Sequence, residues 1–151
     1  MVAKISSLEG HVGFWLRFVS NQVSHAFAAK LAKKGVTAAE WVVLRNLLDS
    51  DGMNPSEIAE SIGMTRGAIS KLADRLVAKA LVARTAGEED RRYQTLSLTR
   101  AGRTLVPQLA ALADRNDAEF FGHLTVKERA AIVAAMREII RRQNLKTVPT
   151  T

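Results

Sequence analysis

Apolar residues at Leu8, Val12, Trp15, Val19, Val23, Phe27 and Leu31 recur at spacings of three and four, one face of an α-helix, and predict a helix over residues 8–33. Phe14, Phe18, Ala26 and Ala29 widen that stripe, so the helix needs a partner surface in its own domain or on another subunit. In "GVTAAEWVVLRNLLDSDG", Thr37 and Glu40 form a capping box and Val43, Leu44, Leu47 and Leu48 the inward side. Asp51-Gly52 ends that helix. "NPSEIAESIG" predicts a short helix with Asn54 as N-cap, Pro55 at the first helical position, Glu57 at the third and Gly63 at the end. "MTRGAISKLADRLVAKA" predicts a fourth helix capped by Thr65. "LVART" and "QTLSLT" predict two short strands around a polar loop. Thr99 caps a long helix with Pro107 inside it, where a kink is expected. A last capping box, Thr125 with Glu128, starts a helix with Ile132, Met136, Ile139 and Ile140 on one face, and "KTVPTT" reads as a frayed tail.

The third and fourth helices are separated by a turn containing Gly63, which can take the left-handed conformation that closes the first of them. Ala59 is small where the two must approach, and Ile58, Ile62, Ile69, Leu72 and Leu76 supply a shared core. This is a helix-turn-helix, whose second helix can enter a DNA major groove. With Ile69, Leu72, Ala73 and Leu76 inward, the opposite face carries Gly67, Lys71, Asp74 and Ala78, flanked by Ser70 and Arg75. Ser70 and Lys71 can reach base edges, and Thr65 and Arg66 stand at a helix N-terminus suited to phosphates. The hairpin that follows makes a winged helix. Its tip residues Arg91 and Arg92 are placed to reach the neighbouring minor groove, and Asp90 can pair with Arg92 or Arg75.

Charge strengthens this picture. The formal net charge is +7, and residues 65–103 hold nine Lys/Arg against four Asp/Glu, or +5 of it. Such a local basic patch is the usual footprint of a phosphate-backbone partner, the alternative being a solubilising basic surface. Catalytic chemistry finds no support. Ser24 and His25 are adjacent rather than opposed, and neither a phosphate-cradling Gly loop nor H-E-x-x-H occurs. There is no cysteine, which excludes disulfides and thiolate metal sites. His11 and His25 lie four turns apart and His123 stands alone, so no metal and no cofactor is expected. No apolar run reaches the roughly 20 residues of a membrane span and no secretory leader is evident, so a cytoplasmic protein is the expectation.

Residues 63–102, "GMTRGAISKLADRLVAKALVARTAGEEDRRYQTLSLTRAG", resemble the MarR family of bacterial transcription regulators. The D-R-L of the fourth helix, the D-x-R of the wing and the "LSLTRAG" exit carry the likeness, and the order of six helices and one hairpin extends it along nearly the whole chain. The resemblance implies a mainly α fold: a winged helix-turn-helix over residues 37–103, a dimerisation region from 1–36 and 104–145, and a flexible tail at 146–151. It implies a homodimer binding double-stranded DNA at a pseudo-palindrome, with a repressor as the expected role. By position, Ser70 and Lys71 resemble groove-facing residues, Arg92 the minor-groove arginine, and Arg75 with Asp90 the ion pair that ties helix to wing. Ala80 departs from the family, which usually has Gly before the first wing strand. Family members commonly bind a small aromatic anion, and Trp15, Phe18 and Trp41 with Arg17 and Arg45 are the candidate pocket here; the alternative is that these aromatics are dimer core. A winged helix serving protein partners without sequence-specific DNA binding remains the competing function.

Overall fold

Five helix starts are closed by the side chains that the sequence nominates. Glu40 N–H donates to Thr37 Oγ1 (3.1 Å) while Thr37 N–H donates to Glu40 Oε1 (3.2 Å), and Thr125 with Glu128 repeats the arrangement. Asn54, Thr65 and Thr99 each accept from the backbone N–H three residues on. Such caps satisfy donors that have no partner inside the helix, each stabilising it by about 1 kcal/mol. A computed structural model of the chain describes residues 2–86 and 94–146. The elements are α1 (Val12–Ala32), α2 (Ala38–Leu48), α3 (Pro55–Ile62), α4 (Arg66–Ala78), β1 (Val82–Thr85), β2 (Thr95–Leu98), α5 (Arg100–Phe121) and α6 (Val126–Arg142).

The first helix starts later than its apolar spacing predicts. Leu8–Gly10 form a separate 3₁₀ turn, and α1 begins at Val12. Two glycines, Gly10 and Gly13, weaken helix propensity there. The Trp15 indole N–H donates to the Glu9 carbonyl (2.9 Å) and ties the turn to the helix. Helix α5 runs as one element through Pro107.

The core lies beneath α2, α4, the hairpin and the first half of α5. Leu44, Leu47, Ile58, Ile69, Leu76, Leu96 and Leu109 are all fully buried, each contributing about 1.5–3 kcal/mol. The strands pair antiparallel from Val82↔Leu98 to Thr85↔Thr95. Met53 adds a bridge to Leu96, exchanging both backbone hydrogen bonds (2.9 and 2.8 Å). Helix α1 joins α5 through a buried polar contact, Asn116 Nδ2 donating to the Val23 carbonyl (3.2 Å) and Lys30 Nζ to Asn116 Oδ1 (3.0 Å).

Elsewhere the apolar faces of α1 and α6 are uncovered. Of the predicted α1 stripe Leu31 alone is fully buried, while Trp15 is 51% and Phe18 60% exposed. Helix α6 buries none of its residues, and Ile132, Met136, Ile139 and Ile140 all face outward.

Candidate nucleic-acid interface

The turn between α3 and α4 depends on Gly63, whose φ of +71° is left-handed. The next N–H, of Met64, donates back to the Ala59 carbonyl (3.0 Å). That geometry delivers Thr65 as cap and Arg66 as the first residue of α4. Ile69, Leu72, Ala73 and Leu76 are buried, the inward face that the periodicity predicts. The other face is thereby set: Thr65, Arg66, Gly67, Ser70, Lys71, Asp74 and Arg75 are all exposed. No Cβ contact within 4 Å would arise at Gly67, so open space lies before the start of the helix. This face combines three cations, Arg66, Lys71 and Arg75, two hydroxyls and a side-chain-free backbone position at a positive helix N-terminus, with Asp74 its one carboxylate, the chemistry that meets phosphates and base edges.

The wing stands beside this helix. Arg84 on β1 donates to Asp74 on α4 (2.7 Å), so among the described residues Asp74–Arg84 is the ion pair joining helix to hairpin. Asp74, read from the sequence as a DNA-contact position, therefore has a partner on the protein. Asp90, the expected partner of Arg75, and the wing-tip residues Arg91 and Arg92 lie outside the described residues, since 87–93 are not among them. Asp74–Arg84 was missed because nothing in local spacing signals a pair across two elements.

A second pair lies behind the interface. Glu40 is 1% exposed and shares its helix face with Val43, Leu44 and Leu47. Both carboxylate oxygens accept from Lys79 Nζ, at 2.9 and 2.7 Å. Burial alone would push the Glu40 carboxyl up, but hydrogen bonds from Lys79 and Thr37 and the Lys79 charge together hold it below its ordinary value. Here a signal was available: a Glu on an otherwise apolar stripe requires a cation.

The candidate aromatic pocket falls into separate parts within one protomer. Trp15 packs edge-on against Phe14 (5.2 Å between centroids) and Phe18 is exposed beside it. Arg17 is exposed on the same helix. Trp41 instead meets Phe27 edge-on (6.3 Å), and Phe27 lies twelve residues, about 18 Å of helix, beyond Trp15. Arg45 pairs with Asp49 (2.7 Å). A cavity of about 420 Å³ between α1 and α5 is bordered by other residues, among them Lys30, Lys33 and Arg115. Among the described residues no group of three His, Cys, Asp or Glu could hold a metal ion, and no helix is long and apolar enough to cross a membrane.

A sequence model described as the MarR family matches residues 34–92. The HTH-type transcriptional repressor MdtR of Bacillus subtilis is 31% identical over 137 residues, covering 87% of this chain and 88% of the relative. Among solved structures, Bordetella bronchiseptica BpsR, whose DNA binding is regulated by 6-hydroxynicotinic acid, aligns with a TM-score of 0.80 at 27% identity. That alignment covers 91% of this chain and 99% of BpsR. The S. aureus MepR–DNA complex aligns with a TM-score of 0.81 at 22% identity, over 87% of this chain and 98% of that one, a likeness of fold.

Proposed function

This chain belongs to the MarR family of transcription regulators, DNA-binding proteins rather than enzymes, and we propose that it represses transcription as a cytoplasmic homodimer on a pseudo-palindromic promoter site. The observation that carries the reading is the exposed face of α4, where Thr65, Arg66, Gly67, Ser70 and Lys71 stand clear of the core beside a hairpin. Lys71 and Ser70 read base edges, Thr65 and Arg66 hold phosphates, and Arg92, with Arg91 beside it at the wing tip, reaches the minor groove. Arg75 and Asp90 tie the wing to the helix in this reading, alongside Asp74–Arg84. Bound protein then excludes polymerase from an overlapping promoter.

The uncovered faces of α1 and α6 support the dimer. Apolar patches of this extent on two helices need a second surface, and a two-fold copy supplies both at once. Association also places a partner's side chains beside Trp15 and Phe18, completing a pocket that one protomer does not form. A small aromatic carboxylate, the chemical class of the BpsR regulator, is the effector that this pocket would take, releasing the DNA.

Selection of duplexes from a random library, retested from low to moderate salt, tests the function. The expected result is an inverted repeat with half-sites roughly 10 base pairs apart. Its affinity should fall steeply with salt and be weakened by Lys71→Ala and Arg92→Ala. Absence of any enriched motif, with weak binding that vanishes near physiological salt, would overturn sequence-specific binding and favour a module for protein partners.

A further inference from the structure

Lys79 is the residue that follows α4, and its ammonium has three protons to donate. Two go to Glu40 Oε2 (2.7 Å) and Oε1 (2.9 Å), and the third to the carbonyl of Gly35 (2.8 Å). Glu40 Oε1 also accepts from the Thr37 N–H (3.2 Å), so the carboxylate is held at the start of α2. Gly35, with φ +72°, closes the C-terminal end of α1. One ammonium therefore joins three places: the end of α1, the start of α2 and the end of the helix that carries the DNA-contact face.

Stability alone does not account for this arrangement. Glu40 is buried while the Lys79 side chain is 38% exposed, and an ion pair with a desolvated partner is weak evidence of stability, since desolvation offsets the attraction. What the charged version adds is direction. Three acceptors around one nitrogen fix its position in a way that an apolar side chain cannot. The α2–α4 contact is also made by packed apolar residues, but Gly35 reaches α4 through this ammonium.

We propose that Lys79 is a positioning residue that fixes the orientation of α4 relative to α1, and through α1 the separation of the two half-sites that the dimer reads. This rests on the DNA-binding dimer of the preceding section. Helix α1 carries the exposed aromatic surface toward the second copy, so its angle to α4 sets how far apart two α4 helices stand.

The test uses the full chain and the inverted repeat recovered by selection, together with repeats in which one base pair is added to or removed from the spacer. The variants are Lys79→Met, which keeps the stem and removes the donors, and Glu40→Gln, which keeps the shape and removes the charge. Thermal unfolding of each first establishes a folded dimer. Wild type should favour the correct spacing. In Lys79→Met the affinity ratio between correct and altered spacing should shrink about tenfold, with affinity for an isolated half-site unchanged. Glu40→Gln should shrink it in the same direction by less. A ratio unchanged in the folded variants overturns the proposal and leaves Lys79 a structural residue only. Should Lys79→Met fail to fold, an unchanged ratio in Glu40→Gln overturns it equally. Wild-type protein that binds no repeat, or ignores spacing, refutes the dimer reading itself rather than the role of Lys79.

Discussion

Replacing Ala80 by glycine should stabilise the protein, although it removes a methyl group and nothing else. Ala80 has φ +58°, left-handed backbone occupied by an L-residue. Its N–H donates to the Val77 carbonyl (2.9 Å) and the Leu81 N–H to the Leu76 carbonyl (3.0 Å), the paired bonds of a Schellman cap. Residues Gly35, Gly63 and Asn144 occupy left-handed positions at the ends of α1, α3 and α6, so α4 is closed by a residue type that the others avoid. The steric cost of this conformation for an L-residue is roughly 1–2 kcal/mol. Glycine relieves it but loosens the unfolded chain, an opposing contribution of about 0.4–1 kcal/mol. The Ala80 side chain is exposed, so no packing is lost. A net gain of roughly 0.5–1 kcal/mol remains, equivalent to about 1–4 °C in Tm for a chain of this length. Urea unfolding of both proteins at one protein concentration, chosen because dimers unfold in a concentration-dependent way, measures it. Ala80→Val serves as the opposite control, since a β-branched residue there should lower the midpoint. A midpoint for Ala80→Gly equal to or below wild type would refute the strain argument.

Gly102→Ala should be strongly destabilising, by about 1–3 kcal/mol or more, because the new Cβ would run into the Leu81 carbonyl oxygen; a urea midpoint matching wild type would show that α5 can shift at no cost. Glu40 has a folded pKa below its ordinary 4.5, so the stability it contributes is present above that value and is lost as pH falls through the lower folded pKa. The stability difference between wild type and Glu40→Gln should thus be largest near neutral pH and shrink in acid, and a difference independent of pH in urea titrations would contradict the assignment. Asp74→Asn removes a pair in which Asp74 is 69% exposed, so global stability should change by less than about 1 kcal/mol. Amide hydrogen exchange in β1 should nevertheless quicken, and unchanged exchange would mean that backbone pairing alone holds the hairpin.

Most of the helical frame was legible because its signals are local. Thr37, Asn54, Thr65, Thr99 and Thr125 each announce a helix start by what a short side chain does to the next turn. The buried and exposed faces of α4 follow from a period of 3.6 residues, and they divide where Ile69, Leu72, Ala73 and Leu76 say they should. The strands too sit within their predicted runs. The partners in the polar contacts that set angles between elements were not legible, although Glu40 on an apolar stripe called for a cation. Lys79 finds Glu40 across 39 residues, Arg84 finds Asp74 across 10, and Asn116 finds Val23 across 93. Such pairs carry no periodicity and emerge only once packing has brought the elements together. Trp15 and Trp41 pack in separate aromatic pairs within one protomer, because twelve residues of α1 separate Trp15 from Phe27, which Trp41 meets.

Helix α5 has 22 residues, with Pro107 inside it, and is about 33 Å long. Its first turn is bolted to the end of α4, with Thr99 Oγ1 donating to the Ala80 carbonyl (2.7 Å), Thr99 N–H to the Leu81 carbonyl (3.1 Å), and Gly102 pressed against that same carbonyl. Its far end reaches the region where α1 and α6 leave their apolar faces uncovered. A helix fastened so closely at one end would act as a lever arm. A tilt of about 5° at the distal end corresponds to roughly 3 Å over that length, comparable to the 3.4 Å rise of one base pair. In the proposed dimer, the contact that denies Gly102 a side chain would carry small rearrangements between protomers to the proposed DNA-contact face.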